Sequence, residues 1–123
     1  MTWTYVQNNG DLKHNGVFIV AGYAGYGKGK HNSSMQCVRN VGPLPRGKYI
    51  MKELILKHRT CGEYVIRLEP DPSNNMCGRS GFLIHGDSKS HPGFASQGCI
   101  ILDKKYRIDM WKSGDKILEV IVL

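Results

Sequence analysis

The chain has 123 residues, of which 41% are hydrophobic and 22% charged, and its net charge is +7 at pH 7. This length and balance predict one soluble globular domain over residues 1–123, and the apolar runs are too short for membrane insertion. The positive charge favours anionic partners, but the lysines form no tract and no recognisable nucleic-acid module, so we expect no nucleic-acid partner.

Short strands and turns account for the first half of the chain. Residues 3–6 and 17–20 are predicted strands, and the turn formers at 8–11 and the Asn15-Gly16 hairpin signal lie between them. This predicts an N-terminal hairpin or meander. The glycine-rich segment 22–34 is predicted to be a mobile flap, because it does not satisfy the phosphate-loop pattern.

Further strands and a single helix make up the second half. Residues 48–56 and 63–69 are predicted strands, and the turn-rich segment 70–75 follows them. A short buried strand over 81–85 is predicted to end at His85, and residues 116–123 supply the last strand. The helix is predicted over 104–112, with Asp103 as its N-cap. The pattern is typical of a mainly β protein.

The most informative residues are His85 and Cys99. A thiol is mostly protonated near neutral pH, and a neighbouring imidazole that takes its proton makes it a nucleophile. Gly86 follows the histidine and Gly98 precedes the cysteine, so the backbone can turn sharply and let a substrate approach. Both side chains would otherwise be ordinary packing residues, since free cysteine is usually buried. The flanking glycines favour a catalytic pair.

The ordered motif His85-Gly86, a loop, and then Ser96-Gln97-Gly98-Cys99 resembles the signature of L,D-transpeptidase (YkuD-like) catalytic domains, cysteine enzymes that remodel peptidoglycan stem peptides. The proline-glycine segment 40–49 and the closing helix, turn and strand are similar to the same family. The resemblance implies a β-sandwich or mixed sheet with one short C-terminal helix. Segments 3–5, 22–27 and 79–82 most resemble the L,D-transpeptidase-like toxins delivered by type VI secretion systems.

The resemblance implies a thioester mechanism on tetrapeptide stems. Cys99 would attack the stem carbonyl, and His85 would take the thiol proton and return it to the leaving amine. Gly86 would orient the imidazole through its carbonyl, and N–H groups at Gly98 and Cys99 would hold the oxyanion. Ser96 would support the loop. The candidate substrate-binding residues are Arg79, Ser80, Tyr23, Asp87 and Gln97.

Two positions depart from the family pattern, and several alternatives stay open. Gln97 replaces a histidine that many relatives carry, and Ile101 replaces the usual arginine. Water would make the protein an L,D-carboxypeptidase, whereas an amine would give transpeptidation or D-amino-acid exchange. A non-catalytic cell-wall-binding module and a housekeeping enzyme lacking its leader are the alternatives. No cofactor or metal is expected, although a metal-dependent peptidase would use Asp87 and His91 with His85.

The N-terminus has neither a basic leader nor an apolar h-region, so a cell-wall enzyme of this kind would need another export route. We expect contact-dependent secretion, action in the target-cell periplasm and a cognate immunity protein. The alternative is a leader that has been removed.

Four cysteines also constrain the setting: Cys37, Cys61, Cys77 and Cys99. Their spacing does not match a structural zinc site. If Cys99 stays free, Cys61 and Cys77 can form a bridge in an oxidising compartment. Otherwise the remaining cysteines are ordinary thiols, and Cys37 is expected to be unpaired in either case.

Overall fold

The structure is a computed structural model that describes residues 1–123, and it consists of a curled mixed sheet of eight strands with one short helix. The mainly β class predicted above is confirmed. The elements are β1 (Trp3–Val6), β2 (Asp11–His14), β3 (Val17–Ala21), β4 (Gly47–His58), β5 (Gly62–Pro70), β6 (Leu83–His85), β7 (Ile100–Ile101), α1 (Lys104–Lys112) and β8 (Ile117–Ile121).

The strand order is β3-β2-β1-β8-β4-β5-β6-β7, so the C-terminal strand lies near the middle of the sheet. β8 runs parallel to β1, β6 runs parallel to β7, and the remaining pairs are antiparallel. The two ends of the sheet meet beyond β3, where the Tyr23 carbonyl accepts the Ile101 N–H at 2.8 Å. This contact brings the chain after β3 against the site-bearing strand β7.

The core follows the two-residue repeat of the central strands. Leu118 and Val120 of β8 are buried, whereas Ile117 is exposed. Trp3 and Tyr5 alternate in the same way on β1. Because successive strand side chains point to opposite faces, this pattern turns one face of the sheet toward the core. The strands that carry the site are thereby held by the core.

The helix has the predicted bounds, but a buried arginine fixes its position. Asp103 occupies the N-cap position without a side-chain capping bond. Arg107 is buried and donates from Nε to the Tyr64 carbonyl at 3.0 Å and from Nη2 to the Glu63 carbonyl at 3.1 Å. These bonds fasten α1 to the start of β5. No helix in the structure is long and apolar enough to span a membrane.

The cysteine pairing differs from the expectation. Cys37 and Cys77 form a disulfide with a Cα–Cα distance of 5.2 Å, and Cys61 and Cys99 are free. The Cys61–Cys77 bridge that the sequence left open does not form, and the expectation of an unpaired Cys37 is wrong. The reason is topological, because Cys61 lies at the turn between β4 and β5, whereas Cys77 follows the far end of β5. The order of the residues along the chain does not show that Cys37 lies beside Cys77.

Candidate active site

Neighbouring strands place His85 and Cys99 beside each other. β6 and β7 pair in parallel, with Ile84 opposite Ile100 and His85 opposite Ile101. Cys99 directly precedes β7 and therefore lies near Leu83, whose N–H donates to Sγ at 3.3 Å. The imidazole and the thiol both line one open cavity of about 380 Å³. The structure thus brings the two predicted residues together.

Four chain segments line this cavity: the glycine-rich segment after β3, the β4–β5 turn, β6 with the loop before it, and the loop between β6 and β7. The lining combines polar, aromatic and aliphatic residues, and the cavity opens to solvent. They are Tyr26, His58, Thr60, Cys61, Gly81, Leu83, His85, Phe94, Ala95, Gln97 and Cys99.

A backbone carbonyl fixes the tautomer of His85. Nδ1 lies 2.9 Å from the Gly86 carbonyl oxygen, which can only accept, so Nδ1 carries the proton and Nε2 of the neutral ring is free to accept one. Burial lowers the pKa of His85, and the nearby charges of Arg107 and His58 act in the same direction. The Gly86 bond opposes this shift without reversing it. His85 is therefore a neutral imidazole at neutral pH.

Cys99 is a protonated thiol in the free protein. Burial raises its pKa to about 11, and the Leu83 N–H and the positive charge of Arg79 only partly oppose that effect. No hydrogen bond joins Sγ to His85 in the free protein, and the sulfur instead accepts the Leu83 N–H. Catalytic hydrogen bonds are often long in free enzymes and shorten when substrate binds. The arrangement provides a neutral base near a neutral thiol rather than a preformed ion pair.

Ser96 organises the loop that leads to Cys99. Its fully buried hydroxyl donates to the Cys99 carbonyl at 2.6 Å and accepts the N–H groups of Gly98 at 3.0 Å and Gly25 at 2.9 Å. One side chain thus links the turn before the thiol to the glycine-rich segment. This geometry gives Ser96 the supporting position that the sequence predicted.

The two expected oxyanion donors differ in their availability. The Gly98 N–H is bonded to Ser96, whereas the Cys99 N–H has no partner. Gly98 has a φ of +137°, and a Cβ there would lie 2.5 Å from Nη2 of Arg79. Both the backbone conformation and the close approach require glycine at this position. The N–H of Cys99 is thus the backbone donor beside the thiol that has no partner.

Arg79 is buried, and its guanidinium group is hydrogen-bonded to backbone carbonyls. Its Nη1 donates to Gln36 at 2.6 Å and Pro43 at 2.9 Å, and its Nη2 donates to Gly42 and Gln97, each at 3.0 Å. A substrate carboxylate would have to displace these carbonyls to reach the terminal nitrogens. The arginine thus links residues 36–43 to the loop before Cys99. The substrate contact predicted for Arg79 stays a prediction, and in the free protein both terminal nitrogens of its guanidinium group donate to carbonyls.

Tyr23 and Asp87 bind each other rather than facing the cavity. The Tyr23 hydroxyl donates to Asp87 at 2.6 Å and accepts the Ala95 N–H at 3.0 Å. Partial burial would raise the pKa of Asp87, but hydrogen bonds from Tyr23 and from the N–H groups of Gly93 and Ser88 hold it below its usual value. The carboxylate therefore stays ionised, and its bonds to Ser88 and Gly93 lie within the loop between β6 and β7.

Ser80 and Gln97 complete the set of expected substrate contacts. Ser80 is exposed and lies with Arg79 and Gln97 at a separate, smaller cavity. Gln97 alone among the five expected substrate-binding residues also lines the cavity of His85 and Cys99. The cavity of His85 and Cys99 is thus lined largely by residues that the sequence did not single out.

The residues missed by the sequence are His58, Cys61, Tyr26 and Phe94. The two aromatic rings are about half exposed and contact each other edge to face, with centroids 5.9 Å apart. Phe94 stands alone as an aromatic residue in a polar loop, which is the signal that could have found it. His58 lies far from the motif in sequence, and nothing in its neighbours predicts that it reaches the cavity.

His85, Asp87 and His91 do not form a metal-binding group. No cluster of three or more His, Cys, Asp or Glu side chains with metal-ligand spacing occurs in the structure. Asp87 is instead occupied by Tyr23 and by backbone N–H groups. The alternative of a metal held by these three residues finds no geometric support.

The fold is thus a curled β-sheet that places an imidazole and a thiol in one cavity. A family model described as the Tlde1 domain matches residues 19–122. The chain therefore belongs to the Tlde1 domain family, whose members are L,D-transpeptidase-like enzymatic effectors of type VI secretion that act on peptidoglycan. No curated protein matches the chain.

Proposed function

We propose that this protein is a cysteine-dependent peptidoglycan-modifying enzyme that cleaves tetrapeptide stems through a thioester. The observation that carries the proposal is the cavity shared by Cys99 and a His85 ring whose Nε2 is left as an acceptor. A neutral base and a thiol in one open cavity are the parts needed for acyl transfer. Family membership supports the substrate class.

The first half-reaction begins as Sγ of Cys99 attacks the carbonyl carbon of the third, L-configured residue of the stem. His85 Nε2 takes the thiol proton as the S–C bond forms. The tetrahedral intermediate then collapses, the C–N bond to the terminal D-alanine breaks, and His85 returns the proton to the leaving amine. A thioester and free D-alanine result. The Gly86 carbonyl stabilises the imidazolium that exists between the two proton transfers.

The oxyanion of this intermediate is proposed to bind the free Cys99 N–H. A single such donor is typically worth roughly 3 kcal/mol of transition-state stabilisation. The Gly98 N–H can contribute only if it exchanges its bond to Ser96 for one to the substrate. The Ser96 hydroxyl would then keep its bonds to Cys99 and Gly25.

The thioester has two proposed fates. Water, deprotonated by His85, gives L,D-carboxypeptidase activity. An amine gives transpeptidation or exchange with a free D-amino acid. Both fates use the same acyl-enzyme, so Cys99 and His85 are required for either.

The setting proposed for this chemistry is the periplasm of a target cell after type VI delivery, where a cognate immunity protein would oppose it. The Cys37–Cys77 disulfide supports this setting, because disulfides persist in oxidising compartments and are rare in reducing ones. The net charge of +7 favours encounter with the anionic cell wall.

Release of D-alanine from purified tetrapeptide muropeptides tests the proposal. The wild type should release D-alanine, and both Cys99→Ala and His85→Ala should lose at least a thousandfold in rate, because each removes a partner of one catalytic unit. Unchanged melting temperatures would show that the variants are folded. Release that persists in Cys99→Ala would overturn the thioester mechanism. No release by the wild type would favour the non-catalytic wall-binding module.

A further inference from the structure

A second imidazole faces the cavity from a different part of the fold. His58 is the last residue of β4 and pairs with Gly62 across the β4–β5 turn. It is half-buried and lines the cavity together with His85 and Cys99. The proposed reaction requires one general base, and His85 supplies it. His58 is therefore a polar cavity residue without a role in the mechanism above.

Backbone contacts fix the tautomer of His58. Its Nδ1 lies 3.1 Å from the Thr60 N–H nitrogen and 3.0 Å from the Cys61 N–H nitrogen. A nitrogen that receives two N–H donors must be unprotonated, so the neutral ring carries its proton on Nε2. This Nε2–H has no hydrogen-bond partner in the protein. His58 thus has an unused donor.

The two imidazoles are held in opposite states. Nδ1 of His85 donates to a carbonyl, which leaves its Nε2 as an acceptor. Nδ1 of His58 accepts from amides, which leaves its Nε2 as a donor. Backbone contacts alone set this difference in tautomer. One cavity therefore contains a proton acceptor for the thiol and a hydrogen-bond donor for a ligand.

We infer that His58 is a substrate-binding residue whose Nε2–H donates a hydrogen bond to a carbonyl or carboxylate oxygen of the stem peptide bound in this cavity. The inference rests on the proposed function for the identity of the ligand. A peptide stem offers such oxygens along its length, and an unused donor in a cavity is stabilised by an acceptor of this kind. The exposed rings of Tyr26 and Phe94 supply apolar surface in the same cavity.

Two substitutions separate the donor from the structural role of the ring. In His58→Asn, the side-chain oxygen can replace Nδ1 at the turn, but no donor reaches the position of Nε2. In His58→Gln, the amide nitrogen can replace the Nε2–H, but the turn loses its acceptor. We expect His58→Asn to keep the wild-type melting temperature and lose about tenfold in kcat/KM, the effect of one hydrogen bond of about 1.4 kcal/mol.

His58→Gln should melt at a lower temperature yet retain more activity than His58→Asn. Arg59→Ala is the matched control, because this exposed side chain belongs to the same turn but does not line the cavity. Arg59→Ala should leave both the melting temperature and kcat/KM unchanged. If His58→Asn instead retains more activity than His58→Gln, activity follows the melting temperature. That result would overturn the inference and would mean that His58 only stabilises the turn.

A binding measurement separates this inference from the proposed reaction. Tetrapeptide affinity is measured calorimetrically in Cys99→Ala and in the Cys99→Ala/His58→Asn double variant, neither of which can form a thioester. A Kd about tenfold weaker in the double variant supports the inference. Equal affinities, or no binding by either protein, overturn it. Failure of the wild type to release D-alanine would instead overturn the proposed function, and the Kd comparison would still decide the role of His58.

Discussion

At the scale of single residues, burial and backbone contacts define the chemistry of the site. The thiol of Cys99 is buried enough to raise its pKa to about 11, whereas burial lowers the pKa of His85. The two shifts favour the neutral form of both groups. In the proposed reaction the pair therefore depends on proton transfer, and the bond from Nδ1 to the Gly86 carbonyl leaves Nε2 of His85 as the acceptor. The same backbone logic gives His58 the opposite tautomer.

The pH profile of kcat/KM should reflect these two groups as a coupled pair. Protonation of His85 removes the base, and because its pKa is lowered, activity should fall only below pH 6.5. Deprotonation of Cys99 in the free protein should be complete only above its pKa of about 11. We expect a broad plateau between these limits in D-alanine release. An acid limb centred well above pH 6.5 would contradict the effect of burial assigned to His85.

At the scale of elements, two loops depend on each other. The glycine-rich segment after β3 contains 3-10 turns at Gly27–Gly29 and Ser33–Met35. The Tyr23 hydroxyl joins this segment to Asp87 and Ala95 in the loop between β6 and β7. Ser96 adds its bond from the Gly25 N–H. The loop that carries the motif is therefore positioned from outside as well as by its own turns.

Tyr23→Phe should loosen this connection. The change removes one bond to an ionised carboxylate and one from a backbone N–H, at partly exposed positions, for a loss of about 1 kcal/mol in stability. We expect kcat/KM for D-alanine release to fall several-fold and proteolysis within residues 87–95 to accelerate. Tyr106→Phe is the control, because the Tyr106 hydroxyl makes no hydrogen bond in the protein.

Asp87→Asn should act in the same direction because it removes the charge of the acceptor, and the two substitutions should not add, since both weaken the Tyr23–Asp87 hydrogen bond. Fully additive effects of Tyr23→Phe and Asp87→Asn on unfolding free energy would contradict a direct coupling between the loops.

At the scale of the whole molecule, long-range ties bring the site segments together. The sheet curls until the chain beyond β3 meets β7 at Ile101. The Cys37–Cys77 disulfide spans 40 residues and links the segment before β4 to the loop after β5. Arg79 adds hydrogen bonds from that loop to the carbonyls of Gln36 and Gln97. The position of the Cys99 loop thus depends on contacts between distant parts of the chain.

Removal of the disulfide should destabilise the whole fold. Closing a loop of this length stabilises by about 4 kcal/mol in the chain-entropy account, so Cys37→Ser/Cys77→Ser should lower the melting temperature by roughly 15 °C. Reductant should lower the melting temperature of the wild type to a similar value and leave the double variant unaffected. A wild-type melting temperature that does not respond to reductant under denaturing scan conditions would contradict the pairing.

The sequence by itself determined the local features of this protein. Alternation and turn residues predicted β1 and β3 but not β2, and the helix had the predicted bounds of Lys104–Lys112. The ordered motif also predicted that His85 and Cys99 would come together across one loop, and they line one cavity. These features depend on residues close in sequence, where strand periodicity and glycine turns act directly.

Only the tertiary structure decided which distant groups meet. It paired Cys77 with Cys37, surrounded Arg79 with carbonyls, and brought His58 to the cavity. Each of these contacts depends on strand order and on the curl of the sheet, which place residues tens of positions apart at one point. A local sequence pattern does not predict the strand order or the curl of the sheet, because these long-range contacts form only when the core packs.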